Sequence, residues 1–148
     1  NNISIINKKA SFEFEFVAKL VAGIQLQGTE IKSIRESKVN LSDAYCRVEQ
    51  NELFVYNIHI SEYTHGSYNN HKPKRKRKLL LKKDEIRKWH NRVKEKGFSI
   101  IPYKVFINDR GLAKVEVALA RGKKIHDKRA SIKEKDNKRQ MDRILKSR

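Results

Sequence analysis

The chain has 148 residues, of which 35 are Lys or Arg and 17 are Asp or Glu, for a net charge of +18. That length fits one domain with a real core, and a charge far above the ~2–8 that keeps a small domain soluble directs it to a polyanion, nucleic acid first and an anionic membrane surface second. A single cysteine excludes an internal disulfide or a cysteine-cluster zinc site, and no apolar run has the ~20 residues of a membrane span or the pattern of a signal peptide.

In chain order, "SFEFEFVAKL" alternates, with Phe12, Phe14 and Phe16 on one side and Glu13 and Glu15 on the other, which is the period of a half-buried strand. "AGIQLQG" continues it, with a bulge or bend expected at Gly23. "GTEIKSIRES" changes period: Ile31 and Ile34 lie three apart, and Thr29 reads as the N-cap of a short helix. "AYCRVEQNELFVYNIHI" reads as a hairpin linked through Gln50–Glu52, with Cys46 a buried strand residue. "SEYTHGSYNNHKPKRKR" reads as a long exposed loop, a kind of segment that is functional or disordered in a compact domain.

"LLLKKDEIRKWHNRVKEKG" predicts a helix capped by Asp84, with Ile86, Trp89 and Val93 on one face and Gly97 as its stop. Leu79–Leu81 lead into it as a short strand or as the helix approach. "SIIPYKVFIND" and "GLAKVEVALA" form a second hairpin around Asp109–Gly111. About six short strands at hairpin spacing, one to three helices and no βαβ rhythm predict an α+β chain built on a small OB-like barrel. The division expected is a barrel domain over 1–121 and a basic tail over 122–148.

Two stretches carry chemistry. In "HKPKRKRKLLLKK" (71–83), six of the seven residues 72–78 are cationic, and each contact with an RNA phosphate would release counterions. A solvated loop or a localisation signal has the same composition. Tyr63, His65, Tyr68 and His71 lie just before the block or open it, and rings beside cations can stack on unpaired bases. The tail from Gly122 to Arg148 is dense in Lys and Arg, and only Ile125, Ile132, Met141, Ile144 and Leu145 could seek a core. Burial at ~25 cal/mol per Å² of so few side chains hardly offsets ~1–2 kcal/mol of ordering per residue. The tail is therefore expected to be disordered when free and helical when docked, with Glu134–Lys138 and Asp142–Lys146 as supporting pairs. The five histidines make no zinc spacing, and P-loop and GxSxG motifs are absent. His126 and Asp127 could imitate a nuclease's acid–base set, but sequence neighbours rarely converge in space, so no catalytic residue, metal or cofactor is assigned.

"GTEIKSIRESKVNLSDAY" (28–45), "HIS" (59–61), "NHKPKRKRKLLL" (70–81), "VKEKG" (93–97) and "AKVEVALARGKKIHDKR" (113–129) together resemble the SmpB family, which binds transfer-messenger RNA (tmRNA) in bacteria. The resemblance implies an OB-like barrel, the bacterial cytoplasm, and ribosome rescue by trans-translation. The barrel would bind the tRNA-like domain of tmRNA, with His71, Arg75, Arg77, Lys78 and Lys82 contacting RNA. Elongation factor Tu and alanyl-tRNA synthetase would be indirect partners through tmRNA. The tail would enter the empty mRNA channel of the small subunit and substitute for codon–anticodon pairing against small-subunit rRNA. Gly122 would let the chain leave the barrel. Lys123, Lys124, Lys128 and Arg129 would meet phosphates, His126 would stack on a base, and Asp127 would orient a cation. Two positions depart from the family pattern: Val21 replaces an acid before "AG", and Asn137 replaces a tryptophan near "KEKDN". Strong self-repulsion favours a monomer. The alternative, resting on composition alone, is a general or ribosomal RNA-binding protein with a basic arm.

Overall fold

The structure, a computed structural model, describes residues 3–66 and 69–123. The expectations for Tyr68 and for the tail from Lys124 onward lie outside the described residues. The elements run β1 (Ser4–Ile6), α1 (Lys8–Glu13), β2 (Phe14–Ile24), α2 (Gly28–Arg35), β3 (Val39–Asn40), β4 (Tyr45–Glu49), β5 (Glu52–Tyr56), β6 (His59–Ile60), β7 (Arg77–Leu80), α3 (Lys83–Lys96), β8 (Ser99–Ile107) and β9 (Ala113–Gly122). The main sheet has the order β1-β8-β4-β5-β7-β2-β9, and β9 pairs back onto β8. Six antiparallel strands thus close on themselves, β1 extends the free end of β8, and β3 and β6 form a separate two-stranded ladder. This is the OB-like barrel that the hairpin spacing predicted.

Closure follows from the two longest strands. β2 pairs along its length with β9, and β9 pairs along its other edge with β8. Their inward residues Ala22, Val115, Val117 and Leu119 have no exposed surface and share one core with Leu53, Val55 and Leu79. α3 adds Ile86 and Trp89 to that core, with Val93 packed against it, as the spacing of three and four required. Cys46 is buried on β4. Both hairpins form, the first with a shorter link than Gln50–Glu52, because Glu52 belongs to β5 and pairs with Glu49. Gln50 and Asn51 both take positive φ, at 50° and 65°, the requirement of a two-residue turn whose twist matches its strands. Asn108 closes the other turn by accepting from the N–H groups of Arg110 and Leu112, with Gly111 at φ 78°.

Three local expectations change. The strand predicted from Ser11 begins at Phe14, because Phe12 and Glu13 belong to α1. The bulge lies between Phe16 and Ala18 rather than at Gly23. Gly23 instead permits a close approach: a Cβ there would lie 3.3 Å from that of Leu80. The helix caps move outward. Gln27, not Thr29, caps α2, and Lys82, not Asp84, caps α3. In both, a glutamate three residues on accepts the cap's N–H, Glu30 from Gln27 at 2.8 Å and Glu85 from Lys82 at 3.1 Å. β9 extends through Gly122, and the Lys123 N–H donates to the Glu13 carbonyl at 3.1 Å.

α1 overrides the β pattern because Asn7 anchors it. The Asn7 side chain is buried, accepts from the Ala10 N–H at 3.1 Å, and donates to the carbonyls of Leu41 at 3.0 Å and Pro102 at 3.2 Å. One amide thus caps a helix and ties it to two other segments. Asn7→Ala removes the cap and one hydrogen bond from each of two carbonyls, of which that of Leu41 still accepts from the Ala44 N–H, so it should cost about 2 kcal/mol, read as a lower urea midpoint with an unchanged slope.

Candidate nucleic-acid interface

Glu30 sits on the inward side of α2 with no exposed surface. Its carboxylate accepts from the Gln27 N–H, from Arg75 Nε at 3.1 Å, and from Arg77, whose own side chain is also fully buried. Burial alone would push the Glu30 carboxyl up, but hydrogen bonds from Arg75, the Gln27 N–H and Arg77 outweigh it and hold the carboxyl below its usual range. Arg77 completes its coordination on backbone, donating to the carbonyls of Ile58 at 2.8 Å and Pro73 at 2.9 Å. Arg75 donates further to the carbonyls of Gln25 and Lys76.

His71 makes a second anchor. The Ile60 carbonyl can only accept, so the His71 Nε2–H donates to it at 2.8 Å, and in the neutral ring Nδ1 accepts from the Thr29 hydroxyl at 2.8 Å. Asn70 makes a third, accepting from the Tyr63 N–H at 3.2 Å and donating to the Tyr63 carbonyl at 2.8 Å. Gly66 packs beneath that amide, where a Cβ would lie 2.5 Å from Asn70 Nδ2. Together these contacts tie the stretch between β6 and β7 to α2 and to the barrel wall.

Of the five barrel residues expected to touch RNA, Arg77 and His71 lie inside the protein. They have 1–2 % of residue surface exposed, and each of their side-chain nitrogens already has a protein partner. Arg75 is partly exposed but committed to Glu30. Lys78 is half-buried on β7 and pairs with Glu52 at 3.1 Å. Lys82 is exposed, as are Lys72 and Lys74, and none of the three makes an ion pair among the described residues. Lys76 pairs with Glu49 at 2.6 Å and lies over the Phe54 ring, 4.2 Å from its centroid. Glu49 is held below the usual carboxylate range by the hydrogen bond from Lys76 and then by that from Tyr56. Gly122 ends β9, Lys123 follows it, and Lys124, His126, Asp127, Lys128 and Arg129 lie outside the described residues.

A basic and apolar groove of about 410 Å³ lies beyond this loop, lined among others by Ile31 and Arg35 of α2, Leu80 of β7, Leu112 and Lys114. Leu80 and Leu112 are 46 % and 53 % exposed, and Val21 on β2 is 53 % exposed. Residue-type reading missed this surface because an exposed leucine in a strand looks like any other strand leucine. The alternation Arg77-in, Lys78-out, Leu79-in, Leu80-out was the available signal.

The family model described as "SmpB protein" matches residues 4–147 of this chain. An SsrA-binding protein of Phocaeicola vulgatus is 58 % identical over 144 residues, covering 97 % of this chain and 96 % of the relative. An SsrA-binding protein of Parabacteroides distasonis is 56 % identical over 146 residues, covering 99 % of this chain and 95 % of the relative. Among solved structures, a chain described under "tmRNA-SmpB: a journey to the center of the bacterial ribosome" superposes with a TM-score of 0.71 at 44 % identity, covering 83 % of this chain and 86 % of that one.

Replacing Glu30 by Gln leaves the buried Arg77 charge without a counter-ion, which should cost about 3–5 kcal/mol. Because the folded carboxyl lies below its ordinary value of 4.5, its stabilisation is present above that pH and is lost as the pH falls through the lower folded value. Urea titrations from pH 7 to pH 3 should show the wild type losing its advantage over Glu30→Gln in that acid range, with little change between pH 5 and pH 7.

Proposed function

This chain belongs to the SmpB family of SsrA-binding proteins, and from that premise we propose how its surfaces divide the work of trans-translation. The protein binds tmRNA and acts with it on the ribosome. The observation that carries this reading is a family relationship that spans barrel and tail alike.

On the barrel, Lys72, Lys74, Lys78 and Lys82 meet phosphates of the tRNA-like domain, and Arg75 contributes field through its exposed edge. Arg77 and His71 act one step back, holding the loop's course so that these ammonium groups stand apart rather than collapsing together. Preorganised cations lose less freedom on binding than cations on a free loop. Arg35 and Lys114 extend the basic surface around the Leu80 groove. Val21 offers apolar contact where the family pattern has an acid, so this barrel repels phosphate less at that point.

The tail acts separately. Gly122 ends the last strand, and from Lys123 onward the basic segment enters the empty mRNA channel. Lys123, Lys124, Lys128 and Arg129 meet small-subunit rRNA phosphates, His126 stacks on a base, and Asp127 orients a neighbouring cation. The segment substitutes there for codon–anticodon pairing. Elongation factor Tu and alanyl-tRNA synthetase join through tmRNA, the working form is a monomer, and the setting is the bacterial cytoplasm. Among the described residues no helix is long and apolar enough to cross a membrane.

Two measurements test this division. Titration against the tRNA-like fragment should survive excess elongator tRNA, and combined Lys72→Ala, Lys74→Ala and Lys82→Ala should flatten the salt slope by about one unit per lost contact. Equal affinity for both RNAs would instead identify a general RNA binder. Truncation after Lys123 should leave folding and fragment affinity nearly unchanged while abolishing tagging of stalled peptides in a reconstituted translation reaction, and a truncated protein that loses the fragment would overturn the separation of roles.

A further inference from the structure

The barrel wall is uneven. β4 pairs with β5 through five consecutive residues, but its other edge meets β8 through a single bridge, Cys46 opposite Ile100. Where these strands part, a groove of about 520 Å³ opens between β4, the start of β8 and the last turns of α3. Its lining includes Tyr45, Arg47, Phe14, His90, Phe98 and Ser99, and no lining residue carries a carboxylate. That volume falls within the range of small-molecule sites.

We propose that this groove is a further RNA site, which takes one unpaired nucleotide with its base stacked on Tyr45 and its phosphate on Arg47. The inference rests on the reading of this chain as an RNA-binding protein and adds a site to it.

The geometry supports this occupant in three ways. Tyr45 is already one layer of a stack: its ring lies 5.3 Å from that of Tyr56 at an interplanar angle of 9°. Tyr45 remains 38 % exposed and lines the groove, so a base would continue an existing pile of rings. The stack is held in place, because the Tyr56 hydroxyl donates to Glu49 and Lys76 lies 5.6 Å from the Tyr56 centroid. The charge is also complementary. Arg47 is exposed on the same outward row of β4 as Tyr45, and Arg92 lies over the Phe98 ring at 5.3 Å. A flat ring beside a guanidinium, on a chain of net charge +18, suits a nucleotide better than an apolar side chain of a protein partner.

The test uses the full-length protein and hexaadenylate RNA at low salt. Backbone and ring NMR signals of Tyr45, Arg47, His90 and Phe98 should move together on titration. Tyr45→Ala should weaken hexaadenylate binding about tenfold, Tyr45→Phe should stay within about twofold, and Arg47→Ala should lower the salt slope by about one. Matching thermal midpoints for Tyr45→Ala and Tyr45→Phe would show that the loss is not one of folding. Unmoved groove signals, with Tyr45→Ala binding as well as wild type, would overturn the site. So would movement of those signals on removing residues 124–148 in the absence of RNA, because the groove would then hold the chain's own tail. Selective binding of the tRNA-like fragment, measured in parallel, decides the wider reading independently: it can persist while the groove proposal fails, and its loss would not move the hexaadenylate result.

Discussion

A carboxylate with no exposed surface, inside a chain of net charge +18, is the constraint around which the side carrying the basic block is built. Glu30 receives two guanidinium groups from 45 and 47 residues further along the chain. A lone buried charge of either sign would be costly, and so would a dense run of cations with nothing to oppose it. Bringing them together satisfies both and leaves no buried side-chain polar atom without a partner among the described residues. The helix that carries Glu30 is thereby locked to the strand that carries Arg77. The stretch between β6 and β7 inherits its course from that lock and from His71 and Asn70.

The same arrangement sorts the basic block into two populations. Arg75, Lys76, Arg77 and Lys78 are opposed by Glu30, Glu49 and Glu52. Lys72, Lys74 and Lys82 face water and retain the charge that a phosphate backbone releases counterions to meet. The exposed charge of the block is therefore carried by fewer residues than the block contains, and the course of the chain between them is set by the rest. Guanidinium suits the interior because its fork can satisfy a carboxylate and backbone carbonyls together, while a flexible ammonium suits the surface.

The barrel's pairing also varies around its circumference. β2, β9 and β8 form long continuous ladders that carry the core, whereas β4 and β8 touch at one bridge. Continuous ladders leave no edge for chemistry. The parted seam gathers the rings of Tyr45 and Phe98 with Arg47, and it lies near the end of β9 from which the tail departs, since Phe14 at the groove pairs with Gly122.

Hydrophobic period is a local property, so the Ile86–Trp89–Val93 face of α3, the alternation of β9 and the two hairpins could be read directly from residue spacing, and with them the barrel. The motifs from Gly28 to Arg129 likewise carried the family and its RNA partner. The partner of a buried charge is not local. Nothing near Glu30 in the chain shows that it will meet Arg77, and nothing in "KPKRKR" separates the cation that is buried from those that are exposed. The same holds for α1, where Asn7 bonds to carbonyls brought in from Leu41 and Pro102 and turns Phe12 from strand to helix. Composition and period thus specify which elements form and what class of molecule they meet. Which cations are left exposed depends on contacts made across more than forty residues, and these exist only once the barrel has closed.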